Sequence, residues 1–163
     1  MGRTIVGVMG PGGGATEDEV SAARELGALV AAEGWVLLTG GRACGVMEAA
    51  SRGAREAGGL TVGILPTEDA GDASEFVDLA VVTGMGQARN QINVLTSRVV
   101  FACGAGAGTA SEIALALKAR RPVILLCATD EARAFFTALG HSGVHLAHSP
   151  QEAVGIARAL LRE

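Results

Sequence analysis

The chain predicts an α/β fold, a Rossmann-like three-layer sandwich around a mainly parallel seven-stranded sheet, and three observations carry that expectation. Short apolar runs alternate with longer helix-like stretches along all 163 residues. The runs are apolar at nearly every position, as expected of strands covered by helices on both faces. Glycine clusters stand directly after the strands, at what would be their carboxyl ends. With 49% apolar and 18% charged residues, the chain is suited to one compact domain over residues 1–163 with a substantial core.

The elements follow in order. Residues 4–9 read as the first strand, and a helix over 17–33 opens on Thr16 with Glu19 at capping-box spacing. A second strand, 35–39, precedes a helix over 46–57, and a third strand spans 61–65. The polar stretch 67–75, marked by Pro66 and Gly71, reads as a surface loop before a fourth strand at 79–83. In the helix expected over 88–97, Arg89, Asn93 and Thr96 share one stripe, and Ala88, Ile92, Leu95 and Val99 form an adjacent apolar one. That pattern predicts an apolar buried side and a polar side. The fifth strand, 99–103, leads into a helix over 109–120 with Thr109 and Glu112 at capping-box spacing. Strands at 123–126 and 144–147 flank a helix over 130–139. The last helix, 150–162, has Ser149 as its cap, Glu152 three residues on, and Pro150 at its first position.

Four glycine-rich turns share one edge of such a sheet: Gly10-Pro11-Gly12-Gly13-Gly14, Gly40-Gly41-Arg42-Ala43-Cys44-Gly45, Gly84-Met85-Gly86, and Gly104-Ala105-Gly106-Ala107-Gly108. In an open parallel sheet, ligands bind at the carboxyl edge where strand order reverses, so one cleft built from these loops is expected. The last turn runs from strand to helix, where glycine allows close backbone approach and the helix start offers unpaired amides to an anion. Neither a Walker sequence nor a G-x-G-x-x-G fingerprint is present, which argues against ordinary ATPase and dinucleotide readings.

The candidate anion-binding residues are Gly12, Gly13, Gly41, Arg42, Gly45, Met85, Asn93, Gly104, Gly106, Ala107, Gly108 and Thr109. Thr109 is expected to cap its helix and to reach an anion with hydroxyl and amide. Glu112 has either a capping role or a chemical one; in a first helical turn, the dipole would favour its ionised form. Arg89, directly after a glycine turn, either is solvated or points a planar fork at phosphate or carboxylate.

A net charge of -4, no Tyr and one Trp oppose a nucleic-acid surface. Cys44, Cys103 and Cys127 lack disulfide or zinc spacing, and His141, His145 and His148 have no partners at ligand spacing, so no metal site is expected. No apolar run approaches the roughly 20 residues needed to cross a bilayer, and a cytoplasmic protein without membrane partners is expected.

Several blocks then carry a resemblance: Gly40-Gly41-Arg42, Gly45-Val46-Met47-Glu48-Ala49, Gly58 through Pro66, Gly84-Met85-Gly86-Gln87-Ala88-Arg89-Asn90, and Gly106-Ala107-Gly108-Thr109-Ala110-Ser111-Glu112. In this order they resemble the molybdenum cofactor carrier-like proteins. These belong to the superfamily of the LONELY GUY cytokinin phosphoribohydrolases, often labelled possible lysine decarboxylases. The resemblance implies a Rossmann-like homo-oligomer, dimer or tetramer, that holds a phosphorylated pterin cofactor as a carried ligand and requires no cofactor of its own. It also implies an alternative, hydrolysis of a nucleoside 5'-monophosphate to free base and ribose 5-phosphate, with Glu112 and Arg89 as catalytic residues. Gly104-Ala105 stands where the hydrolases have Pro-Gly, and Arg89-Asn90 where they have Arg-Lys. No lysine lies among the glycine turns to support decarboxylase chemistry.

Overall fold

The computed structural model describes residues 2–162. Seven strands form one sheet: β1 (Ile5–Met9), β2 (Val36–Thr39), β3 (Thr61–Leu65), β4 (Leu79–Val82), β5 (Val100–Cys103), β6 (Val123–Leu126) and β7 (Val144–Leu146). Their order is β4-β3-β2-β1-β5-β6-β7, and every pair is parallel. The chain therefore builds outward from β1 to one edge, returns past it, and builds outward to the other. The reversal falls between β1 and β5, which are paired through Gly7 with Val100 and Met9 with Ala102.

The six α-helices are α1 (Glu17–Ala32), α2 (Gly45–Glu56), α3 (Asn90–Thr96), α4 (Ala107–Lys118), α5 (Asp130–Gly140) and α6 (Pro150–Leu160). Strand side chains alternate between the sheet faces, which divides the core in two. Val6, Val8, Leu37, Phe101, Ile124 and Leu126 pack with Leu26, Val46 and Val154 beneath α1, α2 and α6. Met9, Leu38, Val100, Val123 and Leu125 pack with Val94, Ile113 and Phe136 beneath α3, α4 and α5. Because both faces are covered, the central strands carry apolar residues throughout.

Local signals place several boundaries. The Thr16–Glu19 capping box forms completely, with each side chain accepting from the other residue's amide. At α6, Ser149 accepts from the Glu152 amide, but the Glu152 carboxylate reaches one residue further back, to the His148 amide. Thr129 caps α5 through the Ala132 amide.

Three expectations are corrected. Helix α4 begins at Ala107 with Gly106 as its cap, and no side chain caps it, so Thr109 and Glu112 form no capping box. Ahead of α3, residues Gly86–Arg89 form a single 3-10 turn, and Arg89 and Asn93 of the expected polar stripe are buried together with Asn90 and Ser97, whereas Thr96 of that stripe and Leu95 of the apolar one are exposed. Strand β4 has no helix over it; Leu79, Val81 and Val82 are exposed.

Helices α1 and α2 cross at close range because glycines stand at the contact. A Cβ on Gly53 would collide with the Arg24 carbonyl, and one on Gly27 with that of Ala50. Gly53→Ala is expected to destabilise the protein by about 2 kcal/mol through overpacking against backbone. Gly155, in helix α6 with nothing within 4 Å of an added Cβ, provides the opposite sign: Gly155→Ala should stabilise by roughly 0.5–1 kcal/mol. Urea unfolding midpoints of the two variants check both, and a neutral Gly53→Ala would contradict the packing account.

Candidate functional site

Five strand ends converge on one cavity of about 300 Å³. Met9 ends β1 and Gly10 to Gly12 follow it, Gly40 and Arg42 follow β2, Pro66 follows β3, Gln87, Arg89 and Asn90 follow β4, and Gly106 to Thr109 with Glu112 follow β5. It sits at the carboxyl edge beside the point where strand order reverses, the position that open α/β sheets use for ligands.

The floor is the start of α4. Its first three amides, those of Ala107, Gly108 and Thr109, have no acceptor one turn back, and no side chain substitutes for one. The Thr109 hydroxyl oxygen is buried and has no hydrogen-bond partner. Ser111 donates its hydroxyl hydrogen to the Gly108 carbonyl at 2.7 Å, and its oxygen accepts from Asn90 Nδ2 at 3.0 Å, tying the start of α3 to α4.

Glycine is required at particular places around this floor. Gly45, at φ +54°, lies so close to the Pro11 and Gly12 carbonyls that a Cβ would collide with both. That contact draws the first and second turns together. Gly40 lies against Arg89, whose Nη1 would stand 2.7 Å from an added Cβ.

The charged group of the cavity is a buried trio. Asn93 Nδ2 donates to Glu112 Oε1 at 2.9 Å, Arg89 Nη1 stands 3.8 Å from the same oxygen, and Arg89 also donates to Asn90 Oδ1 at 3.1 Å. Arg89 is 8% exposed and Glu112 6%, so desolvation outweighs their attraction. Burial pushes the Glu112 carboxyl above the usual carboxylate range, against the hydrogen bond from Asn93 and the charge of Arg89. Burial likewise lowers Arg89, opposed by Glu112 and reinforced by the like charge of Arg42. The trio is incomplete, since Arg89 Nε and Asn93 Oδ1 are buried without partners. Glu112 lies in the second turn of α4 rather than the first, and burial there shifts its carboxyl upward, opposite to the influence expected of the helix dipole.

Of the residues singled out in the sequence, Gly12, Arg42, Arg89, Gly106, Ala107, Gly108, Thr109 and Glu112 line the cavity. Asn93 lies behind it and touches Glu112. Gly13, Gly41, Gly45, Met85 and Gly104 do not line it. Gly41, at φ +78°, accepts from the Ser74 amide through its carbonyl and packs against Gly63. Gly104, at φ +82°, packs on the Glu19 carboxylate. Met85 is half exposed. The cavity adds Met9, Met47, Pro66, Gln87 and Asn90; adjacency to glycine turns is the only sequence signal for most of these.

Among the described residues, no group of His, Cys, Asp and Glu is arranged to hold a metal ion. No helix of the described residues is long and apolar enough to cross a membrane.

The family profile described as the SLOG cluster4 family matches residues 3–154. The chain belongs to the SLOG cluster4 family. For this family member, a molybdenum cofactor binding protein from Rippkaea orientalis is 52% identical, with 99% of each chain covered and a TM-score of 0.96. The molybdenum cofactor carrier protein of Chlamydomonas reinhardtii is 48% identical over 99% of this chain and 100% of its own, with a TM-score of 0.95. An uncharacterized protein of Archaeoglobus fulgidus is 43% identical over 121 residues, covering 74% of this chain and 78% of its own. The resemblance to carrier-like proteins read from the motif blocks is thus borne out across the whole chain.

The upward shift of the Glu112 pKa has a measurable sign. A carboxyl whose folded value lies above its unfolded value, about 4.3 for glutamate, stabilises fully below that value and loses its contribution as pH rises through the folded one. The stability of wild type minus that of Glu112→Gln should therefore be most favourable to wild type in acid and fall as pH rises past the ordinary glutamate range. Urea unfolding at stepped pH checks this; a difference that is flat or grows with pH would contradict burial as the dominant influence.

Proposed function

We propose that this protein binds a small phosphorylated ligand at the carboxyl edge of β1 and β5 and carries it without turnover, the ligand being a molybdenum cofactor of phosphorylated-pterin type. One observation carries the reading: the unpaired Ala107, Gly108 and Thr109 amides and the partnerless Thr109 hydroxyl meet at a cavity also lined by Arg42 and Arg89. These are the groups that a phosphate requires, since a helix start offers donors and a positive dipole end and guanidinium supplies charge-assisted bonds. The carried ligand is named from the relatives, which are called molybdenum cofactor binding and carrier proteins and match this chain over nearly its full length.

The remaining wall fits a heterocycle. Met9 and Met47 offer apolar surface, and Gln87, Asn90 and Glu112 offer hydrogen-bond donors and acceptors. Glu112 Oε1 accepts from Asn93 Nδ2 within this wall. In this reading Glu112 and Arg89 are binding groups. Glycoside cleavage ordinarily uses two carboxyl groups, and Glu112 is the single carboxyl lining the described cavity.

Self-association belongs to the same reading. Leu79, Val81 and Val82 of β4 are exposed, as are Met85 after it and Leu95 of α3, and an uncovered apolar edge of this kind supports a homo-oligomer. Sedimentation velocity should show a dimer or tetramer that Val81→Lys dissociates; an unaltered assembly would place the interface elsewhere.

Gly108→Asp tests the phosphate floor with little risk to folding, because nothing lies within 4 Å of an added Cβ there. Calorimetric titration with molybdenum cofactor and with AMP should give saturable binding to wild type. Gly108→Asp should weaken it on the order of a hundredfold, about 2.7 kcal/mol, by opposing anion and dipole, and Arg42→Ala about tenfold. Undiminished binding to Gly108→Asp would refute the assigned floor. Release of free base from AMP, abolished in Glu112→Gln, would replace carriage by hydrolysis.

A further inference from the structure

A second cavity, of about 600 Å³, lies at the opposite end of α4, where that helix meets the starts of β6 and β7. Its size is within the range of small-molecule sites. Leu117, Pro122 and Leu139 give it an apolar lining, and Lys118, Arg120 and Arg121 surround that lining with positive charge. No carboxylate lines it, and none of these three cations forms an ion pair among the described residues.

An ordinary explanation for cations here is that they satisfy the last carbonyls of α4. For Ala116 and Leu117 the backbone already does so. Arg120, at φ +56°, donates its amide hydrogen to the Leu117 carbonyl at 3.0 Å, and the Arg121 amide reaches Ala116 at 2.8 Å. That is a Schellman motif, with arginine at the left-handed position where glycine is usual. Arg121 donates from Nη2 to the Leu95 carbonyl, yet its Nε–H is buried without a partner. The leucine opposite, Leu139, is 52% exposed. An apolar hollow edged by guanidinium groups that form no ion pair among the described residues, on a chain of net charge -4, is complementary to a molecule with an apolar body and an anionic head.

We infer that this cavity is a second ligand site, separate from the phosphate cavity, for a small amphipathic anion: an acyl or aryl group carrying a carboxylate. The apolar body occupies the space among Leu117, Pro122 and Leu139, and the head lies against Arg120 and Arg121. The inference does not depend on what the first cavity holds.

Octanoate is a suitable probe and 1-octanol its neutral counterpart. In amide proton–nitrogen spectra of the full chain, octanoate at millimolar concentration should cause saturable shifts confined to residues 117–122 and 139–145, and octanol should bind more weakly at low salt. Arg120→Gly removes one cation while placing glycine where the backbone favours it, so the fold is retained; affinity should fall about tenfold. Leu139→Glu should abolish the shifts, and Gly108→Asp should leave them unchanged. Absence of saturable shifts, or shifts indifferent to both Arg120→Gly and Leu139→Glu, would overturn the proposal. Shifts that disappear in Gly108→Asp would instead assign octanoate to the phosphate cavity and overturn it equally.

Discussion

The first turn of α4 governs this molecule. A helix must begin somewhere, and wherever it begins several amides lack acceptors. Most helix starts in proteins satisfy one of these with a side-chain cap, as α1, α5 and α6 do here with Thr16, Thr129 and Ser149. Helix α4 has glycine at that position and leaves the amides of residues 107–109 open. The sheet topology sets those amides beside the β1–β5 reversal, where adjoining loops diverge. Gly45 then lets the turns after β1 and β2 touch, closing the wall around them.

Electrostatics reinforce the same point. A buried arginine and a buried glutamate at 3.8 Å would ordinarily complete one another with further hydrogen bonds. Here both are moved toward neutrality by burial, and Arg89 Nε and Asn93 Oδ1 have no partner. Such a network is held together by the packing around it, and its unmet polar atoms are where a bound anion and its attached ring would be recognised. Arg42, exposed at the cavity rim, adds a positive charge without the desolvation that Arg89 suffers.

The sheet was legible in the sequence because its strands are apolar runs of strand length separated by helical stretches, and the glycine turns indicated which edge carries the cavity. The errors have physical reasons. Thr109 and Glu112 have capping-box spacing, but the chain enters the helix two residues earlier, and spacing alone cannot show that Ala107 and Gly108 are already helical. Around α3, Arg89 and Asn93 of the stripe expected outside are buried to build the site and Leu95 of the apolar stripe is exposed, whereas Thr96 and Val99 lie as expected; a polar side chain that is inside resembles a solvated one until the neighbouring helix is placed. Strand β4 has the composition of a covered strand but no helix above it. Gln87, Asn90 and Pro66 reach the cavity only through the tertiary path of the loops after β3 and β4.

The central claim is that main-chain amides at the start of α4 receive an anion. Amide proton–nitrogen spectra recorded while inorganic phosphate is added address it directly. The account predicts that the resonances of Ala107, Gly108 and Thr109 move together to lower field with one saturation curve, as amides do on gaining a charged acceptor. Resonances that stay fixed while others elsewhere respond, or no response at any phosphate concentration, would contradict it.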